Sequence, residues 1–191
     1  MEAKKRTVSK RVTTVLMLAL AAALSLSLVA CGKSDQDVIR DGITAEFESI
    51  KNLTNKDLFD GFTQGAGDLS TYGIDNEEFL RAWLSDFDYS VDNVSVNGNN
   101  ATVTVTVTCK LMADFMDAAM EEAEDLSERA GDMTQKELNQ EVGKLLMKAI
   151  TNMSAKTTKI TLSYVKDGNV WKPGPNFDSE LAPGFIGKMS L

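Results

Sequence analysis

The sequence predicts an α+β domain, with an antiparallel sheet packed on one face against N-terminal helices. Three observations predict it: apolar residues at helical spacing from residue 35 to about 85, strand-turn-strand patterns at 86–109 and 157–172, and no strand-helix-strand alternation of the kind a parallel sheet needs. Between the two hairpins, residues 112–150 read as a helical hairpin inserted between strands.

Ile39, Ile43, Phe47 and Ile50 recur at i, i+4, i+8 and i+11, which places them on one side of a first helix from Asp35 to about Asn52. A short second helix fits residues 55–62, where Leu58, Phe59 and Phe62 can pack, and "GAGDLSTYG" reads as a loop. Asp75 with Glu78 three residues on has the spacing of a capping box, so a third helix runs from 76 to about 85 and buries Phe79, Leu80 and Trp83.

The period then changes to 2. Phe87, Tyr89 and Val91 share one face of a strand, whereas Val94 and Val96 have the opposite parity, so a bulge or bend is expected near Asp92-Asn93. "NGNN" supplies a turn. "ATVTVTVTC" follows as a second strand, with Val103, Val105, Val107 and Cys109 inward and the threonines outward.

Met112, Phe115, Met116, Ala119, Ala123 and Leu126 are expected to form the apolar stripe of a long helix that stops near Gly131. Thr134 with Glu137 repeats the capping box and opens a helix carrying Leu138, Val142, Leu145, Leu146, Ala149 and Ile150. Ile160, Leu162 and Tyr164 mark the inner face of the next strand, and Asp167-Gly168 turns it into a last one carrying Val170 and Trp171. The single domain spans 35–175, with the helical insertion at 112–150. From Pro173 onward the chain is rich in Pro and Gly, and residues 176–191 read as an irregular tail on which Phe185 and Ile186 could dock.

The first thirty residues have the composition of an export signal. Lys4, Lys5, Arg6, Lys10 and Arg11 precede an apolar stretch from Val12 to Ala30, which ends at a cysteine followed at once by polar chain. Leu28-Val29-Ala30-Cys31 resembles the lipobox of bacterial lipoproteins. That resemblance implies cleavage of residues 1–30 between Ala30 and Cys31, a diacylglyceryl group (palmitate-type acylation) on Cys31, and anchorage to the cell membrane on its extracytoplasmic face. Two acyl chains suffice for stable anchoring, at about 0.8 kcal/mol per buried CH₂. An ordinary signal peptide with a chance cysteine, or an uncleaved anchor, would also export the domain. Residues 31–34 would be the whole tether, because Gly32, Lys33 and Ser34 span roughly 10 Å when extended.

Cleavage removes five of the 20 basic residues and one of the 28 acidic ones, leaving 161 residues with a net charge of −12. Such a chain repels nucleic acid and anionic lipid headgroups and favours a neutral or cationic partner. With Cys31 acylated, Cys109 is the only thiol, so no internal disulfide forms and Cys109 reads as a buried small hydrophobe.

No acid-base or metal signature stands out, and the chain has no histidine, the commonest shuttle and zinc ligand. Asp86, Asp88, Ser90 and Asp92 mimic the start of a calcium loop, but Val91 holds its glycine position and Asn97 its glutamate position, so a solvated strand face fits better. Ser163 and Lys166 have Ser-x-x-Lys spacing but fall on a strand, where i and i+3 point to opposite faces. No cofactor and no metal site is expected.

The pattern "FDYSVDNVSVNGNNATVTVTVT", closed by "VKDGNVWKP", resembles small export-tethered lipoproteins with cystatin-like or NTF2-like domains, many of them called domains of unknown function. It covers about residues 38–175, and the helical segment at 111–150 departs from it. The resemblance implies a cone-shaped sheet and a non-enzymatic binding module for a small molecule, lined by Trp83, Tyr89 and Trp171, or for an envelope protein. The alternative it leaves open is an acid-base isomerase or dehydratase built on Asp86, Tyr72 or Tyr89. The same three aromatic residues also suit a core, and the methionines at 112, 116 and 120 suit either core filling or a partner-binding groove.

Overall fold

The computed structural model describes residues 26–27, 32–66 and 69–187. In chain order its elements are β1 (Leu26–Ser27), α1 (Asp35–Lys51), α2 (Lys56–Ala66), a 3-10 turn (Leu69–Tyr72), α3 (Asn76–Trp83), β2 (Asp88–Asn97), β3 (Asn100–Cys109), α4 (Met112–Arg129), a second 3-10 turn (Ala130–Asp132), α5 (Gln135–Asn152), β4 (Lys156–Asp167), β5 (Val170–Pro173) and α6 (Phe177–Phe185). The strands form one antiparallel sheet in the order β1-β5-β4-β3-β2, which makes this an α+β fold.

β3 and β4 are neighbours across ten residue pairs, from Asn100↔Val165 to Cys109↔Lys156. The α4–α5 hairpin is therefore an insertion at one end of a ladder that closes without it. Both tight turns begin with glycine, Gly98 at φ 59° and Gly168 at φ 61°, a conformation in which any Cβ would be strained. The expected bulge lies between Val91 and Asn93. Asp92, the extra residue, accepts from Ser90 and Thr106 hydroxyls at 2.8 Å and lies 3.1 Å from Lys159 Nζ. Arg40 donates to the carbonyl of Val91 at 2.8 Å, fixing α1 to the bulged strand.

The inner face of the sheet, Val103, Val105, Val107, Cys109, Ile160, Leu162 and Tyr164, is buried with Ile39, Ile43, Phe47 and Ile50 of α1. Each of these large side chains contributes about 1.5–3 kcal/mol by leaving water. The opposite face, carrying Thr102, Thr104, Thr106, Thr108, Thr157 and Lys159, stays partly or fully in solvent. A second packing centre lies under the inserted hairpin, where the rings of Phe62, Phe79, Trp83 and Phe115 meet at centroid distances of 5.3 to 6.0 Å.

Three expectations need correction. The tail is not irregular: Phe177–Phe185 form a helix, because Phe177, Leu181 and Phe185 recur at i, i+4 and i+8 and all bury. Phe185 stacks on Phe47 at 6.4 Å, and Glu180 accepts from both the backbone N–H and the hydroxyl of Ser163 at 2.7 Å. A carboxylate thereby replaces the strand partner that β4 lacks there. The "GAGDLSTYG" loop is partly helical, since α2 runs to Ala66 and a 3-10 turn covers Leu69–Tyr72. Finally, the apolar stripe of α4 is only half buried: Phe115 and Leu126 enter the core, whereas Met116 and Ala123 face solvent.

Candidate functional site

Two regions carry chemistry beyond core packing: the start of α1, next to the proposed tether, and the exposed side of the inserted hairpin. Residues 28–31, including Ala30 and Cys31, lie outside the described residues, as does nearly all of the stretch expected to be an export signal. Leu26 and Ser27 are described, as the two-residue edge strand β1 paired with Trp171 and Val170. Among the described residues no helix is long and apolar enough to cross a membrane.

Helix α1 begins abruptly after Ser34. Its hydroxyl accepts from the backbone N–H of Asp37 at 3.2 Å, and the Asp37 carboxylate reaches back to the backbone N–H and hydroxyl of Ser34. Those bonds hold the Asp37 carboxyl below its usual range. One residue earlier, Lys33 pairs with Asp41.

Asp35 then ties the helix to the sheet. Lys166 Nζ lies 2.9 and 2.7 Å from its two oxygens, and the indole N–H of Trp171 donates to it at 3.3 Å. The Lys166 hydrogen bond, against the opposing cost of burial and with help from Trp171, lowers the Asp35 pKa. The ammonium also stands 5.5 Å from the Trp171 ring centroid.

The three aromatic candidates occupy separate surroundings. Trp171 is fully buried beside Lys166, and Trp83 sits in the ring cluster with Phe79 and Phe115. Tyr89 is half buried against Phe47 and Phe87, and its hydroxyl reaches the Thr44 carbonyl at 3.0 Å and Glu48 at 3.1 Å. Burial first, then the bond to Glu48, pushes its pKa up to about 12. The rings of Phe47, Phe87 and Phe185 pack on one another in the core, at centroid distances of 6.1 to 6.4 Å.

Asp86 is more than half exposed and lies 3.5 Å from Lys110 Nζ. Tyr72 lines an open cleft of about 460 Å³ between the first 3-10 turn and α5, with Glu78, Gln140 and Lys144 on its rim. Asp86, Tyr72 and Tyr89 thus belong to three different places. Asp88 pairs with Lys51 at 2.8 Å, Ser163 with Glu180 and Lys166 with Asp35, so neither the calcium-loop nor the Ser-x-x-Lys pattern is assembled. Among the described residues no group of three or more His, Cys, Asp or Glu could hold a metal ion.

Sequence reasoning missed Lys110, which is buried and donates to the Ala82 carbonyl at 2.8 Å and the Ser85 hydroxyl at 3.0 Å. It closes the C-terminus of α3, where a cation meets the free carbonyls and the negative end of the helix dipole. Its position just past the last strand residue gave no signal. On the hairpin, Met116 is 40% exposed and Met120 54%. Besides Val165, they are the only large apolar side chains so exposed among the described residues.

No protein-family model matches the sequence, and no curated protein matches it. One solved structure that resembles it, from Bacillus subtilis subsp. subtilis str. 168, is described as "a putative lipoprotein (ycdA)". It is 16% identical, with a TM-score of 0.42 over 91% of this chain. This chain spans 56% of that one.

Proposed function

We propose that the chain is an exported lipoprotein, acylated at Cys31 and held on the extracytoplasmic face of the cell membrane, where it works as a non-enzymatic binding module for another envelope protein. The observation that carries the choice of ligand is the pair of exposed methionines on the inserted hairpin, set against an inner sheet face filled by Phe47, Phe87 and Phe185. An apolar surface kept in water fits a protein partner, and a filled concavity fits a small molecule poorly.

Support for the anchor comes from the lipobox-like Leu28-Val29-Ala30-Cys31 and from the short path to the fold. Three residues separate Cys31 from α1, whose first residue is pinned to β4 and β5 by Lys166 and Trp171. A lipid at Cys31 would hold this corner of the domain within roughly 10 Å of the bilayer. The acid-base alternative rests on Asp86, Tyr72 and Tyr89, which are apart, and the one carboxylate that Tyr89 meets, Glu48, adds to burial in raising the phenol to about 12, away from the range of a working proton carrier.

Native and denaturing mass spectrometry of the protein purified gently from its own membrane tests both parts. The expected denatured mass is that of residues 31–191 plus a diacylglyceryl group, and the native spectrum should hold a co-purified protein that denaturation releases. A denatured mass retaining residues 1–30, or lacking lipid, overturns the anchor. A bound small molecule in place of a protein overturns the choice of ligand.

A further inference from the structure

We propose that Met112, Met116 and Met120 of α4, with the acidic row beside them, form the docking surface for a cationic amphipathic helix of the partner protein. This inference rests on the reading of the chain as a protein-binding module.

At about 100° per residue, positions 112, 116 and 120 fall within an arc of about 80° on one side of α4, with Ala123 in the same arc one turn on. Phe115 and Leu126 lie roughly a quarter-turn away and are buried in the core. Met112 is half buried against that core, Met116 and Met120 emerge from it, and Ala123 is exposed, so the stripe rises out of the packed face into water. From Met112 to Ala123 it is about 16 Å long, which suits two to three turns of a docked helix. Unbranched thioether side chains re-pack around whatever apolar residues a partner presents.

The charge beside the stripe selects the partner. Helix α4 carries seven acidic residues and one basic one, Arg129. Asp114 and Glu122 are engaged by Lys156 and Lys148. Asp117, Glu121 and Glu124, on the flank next to the methionines, are exposed and make no ion pair among the described residues. An apolar strip with three such carboxylates along one side complements a helix that places lysines or arginines beside its own apolar residues. It repels a second copy of the same helix, and it repels an anionic bilayer.

The test uses the full mature chain in phosphatidylcholine nanodiscs, methyl-labelled at methionine, and a synthetic 18-residue Leu/Lys amphipathic helix, with the matching Leu/Glu helix and empty nanodiscs as references. The Leu/Lys helix should move the methyl signals of Met116 and Met120, and the Leu/Glu helix should not. Affinity above the empty-disc background should fall about tenfold in Met116→Gln/Met120→Gln, and about tenfold in Asp117→Asn/Glu121→Gln/Glu124→Gln. It should also weaken as salt is raised from 0.05 to 0.3 M. All five substitutions are at exposed positions, and circular dichroism checks that each variant folds.

Unmoved methionine signals, equal binding of both peptides, or a dimer in sedimentation that needs Met116 and Met120 would each overturn the proposal. A native envelope partner that still binds both variants would overturn this surface and leave the binding-module reading standing.

Discussion

Lys166 grips both carboxylate oxygens of Asp35, at 2.7 and 2.9 Å, across 131 residues of chain. It joins the first residue of the first helix to the last long strand, and the Trp171 indole N–H donates to the same carboxylate. Because the pair is only partly exposed, its loss should be felt. Asp35→Ala leaves a shielded ammonium without its partner and should cost about 1–3 kcal/mol in urea denaturation at neutral pH.

The pH dependence of that pair has a defined sign. The Asp35 pKa is lowered in the folded state from an ordinary 3.8, so its stabilisation is complete above that value and is lost as pH falls through the lower, folded one. Asp35→Asn should therefore lose less stability than wild type between pH 5 and pH 2. Parallel losses in the two proteins would show that Asp35 does not contribute to the acid limb.

Gly143 permits the closest approach in the helical half of the molecule. A Cβ built there would stand 2.0 Å from the carbonyl oxygen of Tyr72, so α5 can touch the first 3-10 turn only with no side chain at this position. Gly143→Ala should cost about 1–3 kcal/mol by forcing the two elements apart. Gly131→Ala, where nothing lies within 4 Å, is the control and should stay within about 1 kcal/mol of wild type. Equal urea midpoints for the two variants would contradict this account.

How far these features were legible depends on whether a local pattern encodes them. Period-2 valines placed β3 and the inner face of the sheet, and the parity break between Val91 and Val94 pointed to a bulge or bend near Asp92-Asn93 because a one-residue slip reverses every side chain after it. Asp75 and Thr134, both read as caps, head their helices by side-chain bonds that reach only three residues, whereas the cap at Ser34 was not read. Helix α6 was hidden behind Pro183 and Gly184, which read as breakers. Its apolar residues find Phe47 and Tyr164, partners more than a hundred residues or a whole strand away. For the same reason nothing local marked Lys110 as buried or told Phe115 from Met116 as the inward residue. Which side of an apolar arc is covered depends on the neighbouring elements.

The thiols give a count that bears directly on the proposed anchor. Cys109 is fully buried, its sulfur 2.9 Å from the Gly184 carbonyl, and burial pushes its pKa up to about 12. The native protein should not react with Ellman's reagent on the minute timescale, because the thiolate is the reactive form. In denaturant the acylated mature chain should show one thiol, and a chain with free Cys31 two. Rapid native reaction in an acylated sample would mean that the Cys109 strand opens far more readily than its packing implies.

At the alkaline end Tyr89 and Tyr164 contribute to the loss of stability. Tyr89, raised by burial and by Glu48 to about 12, stays protonated in the folded state after an ordinary tyrosine at 10 has ionised. Tyr164 is raised too, by burial first and the charge of Glu46 second. A raised folded-state value stabilises fully below the unfolded pKa and loses its effect as pH rises through the folded one. Stability should therefore decline from about pH 10 towards pH 12, with tyrosinate absorbance at 295 nm rising late and steeply as the chain unfolds. Glu48→Gln removes the charge that opposes the Tyr89 phenolate, so its absorbance should rise at lower pH than in wild type. In Tyr89→Phe the alkaline decline should be shallower, because one of the protons that hold the fold against high pH is gone. An unchanged titration in Glu48→Gln would show that Glu48 does not act on Tyr89 in solution.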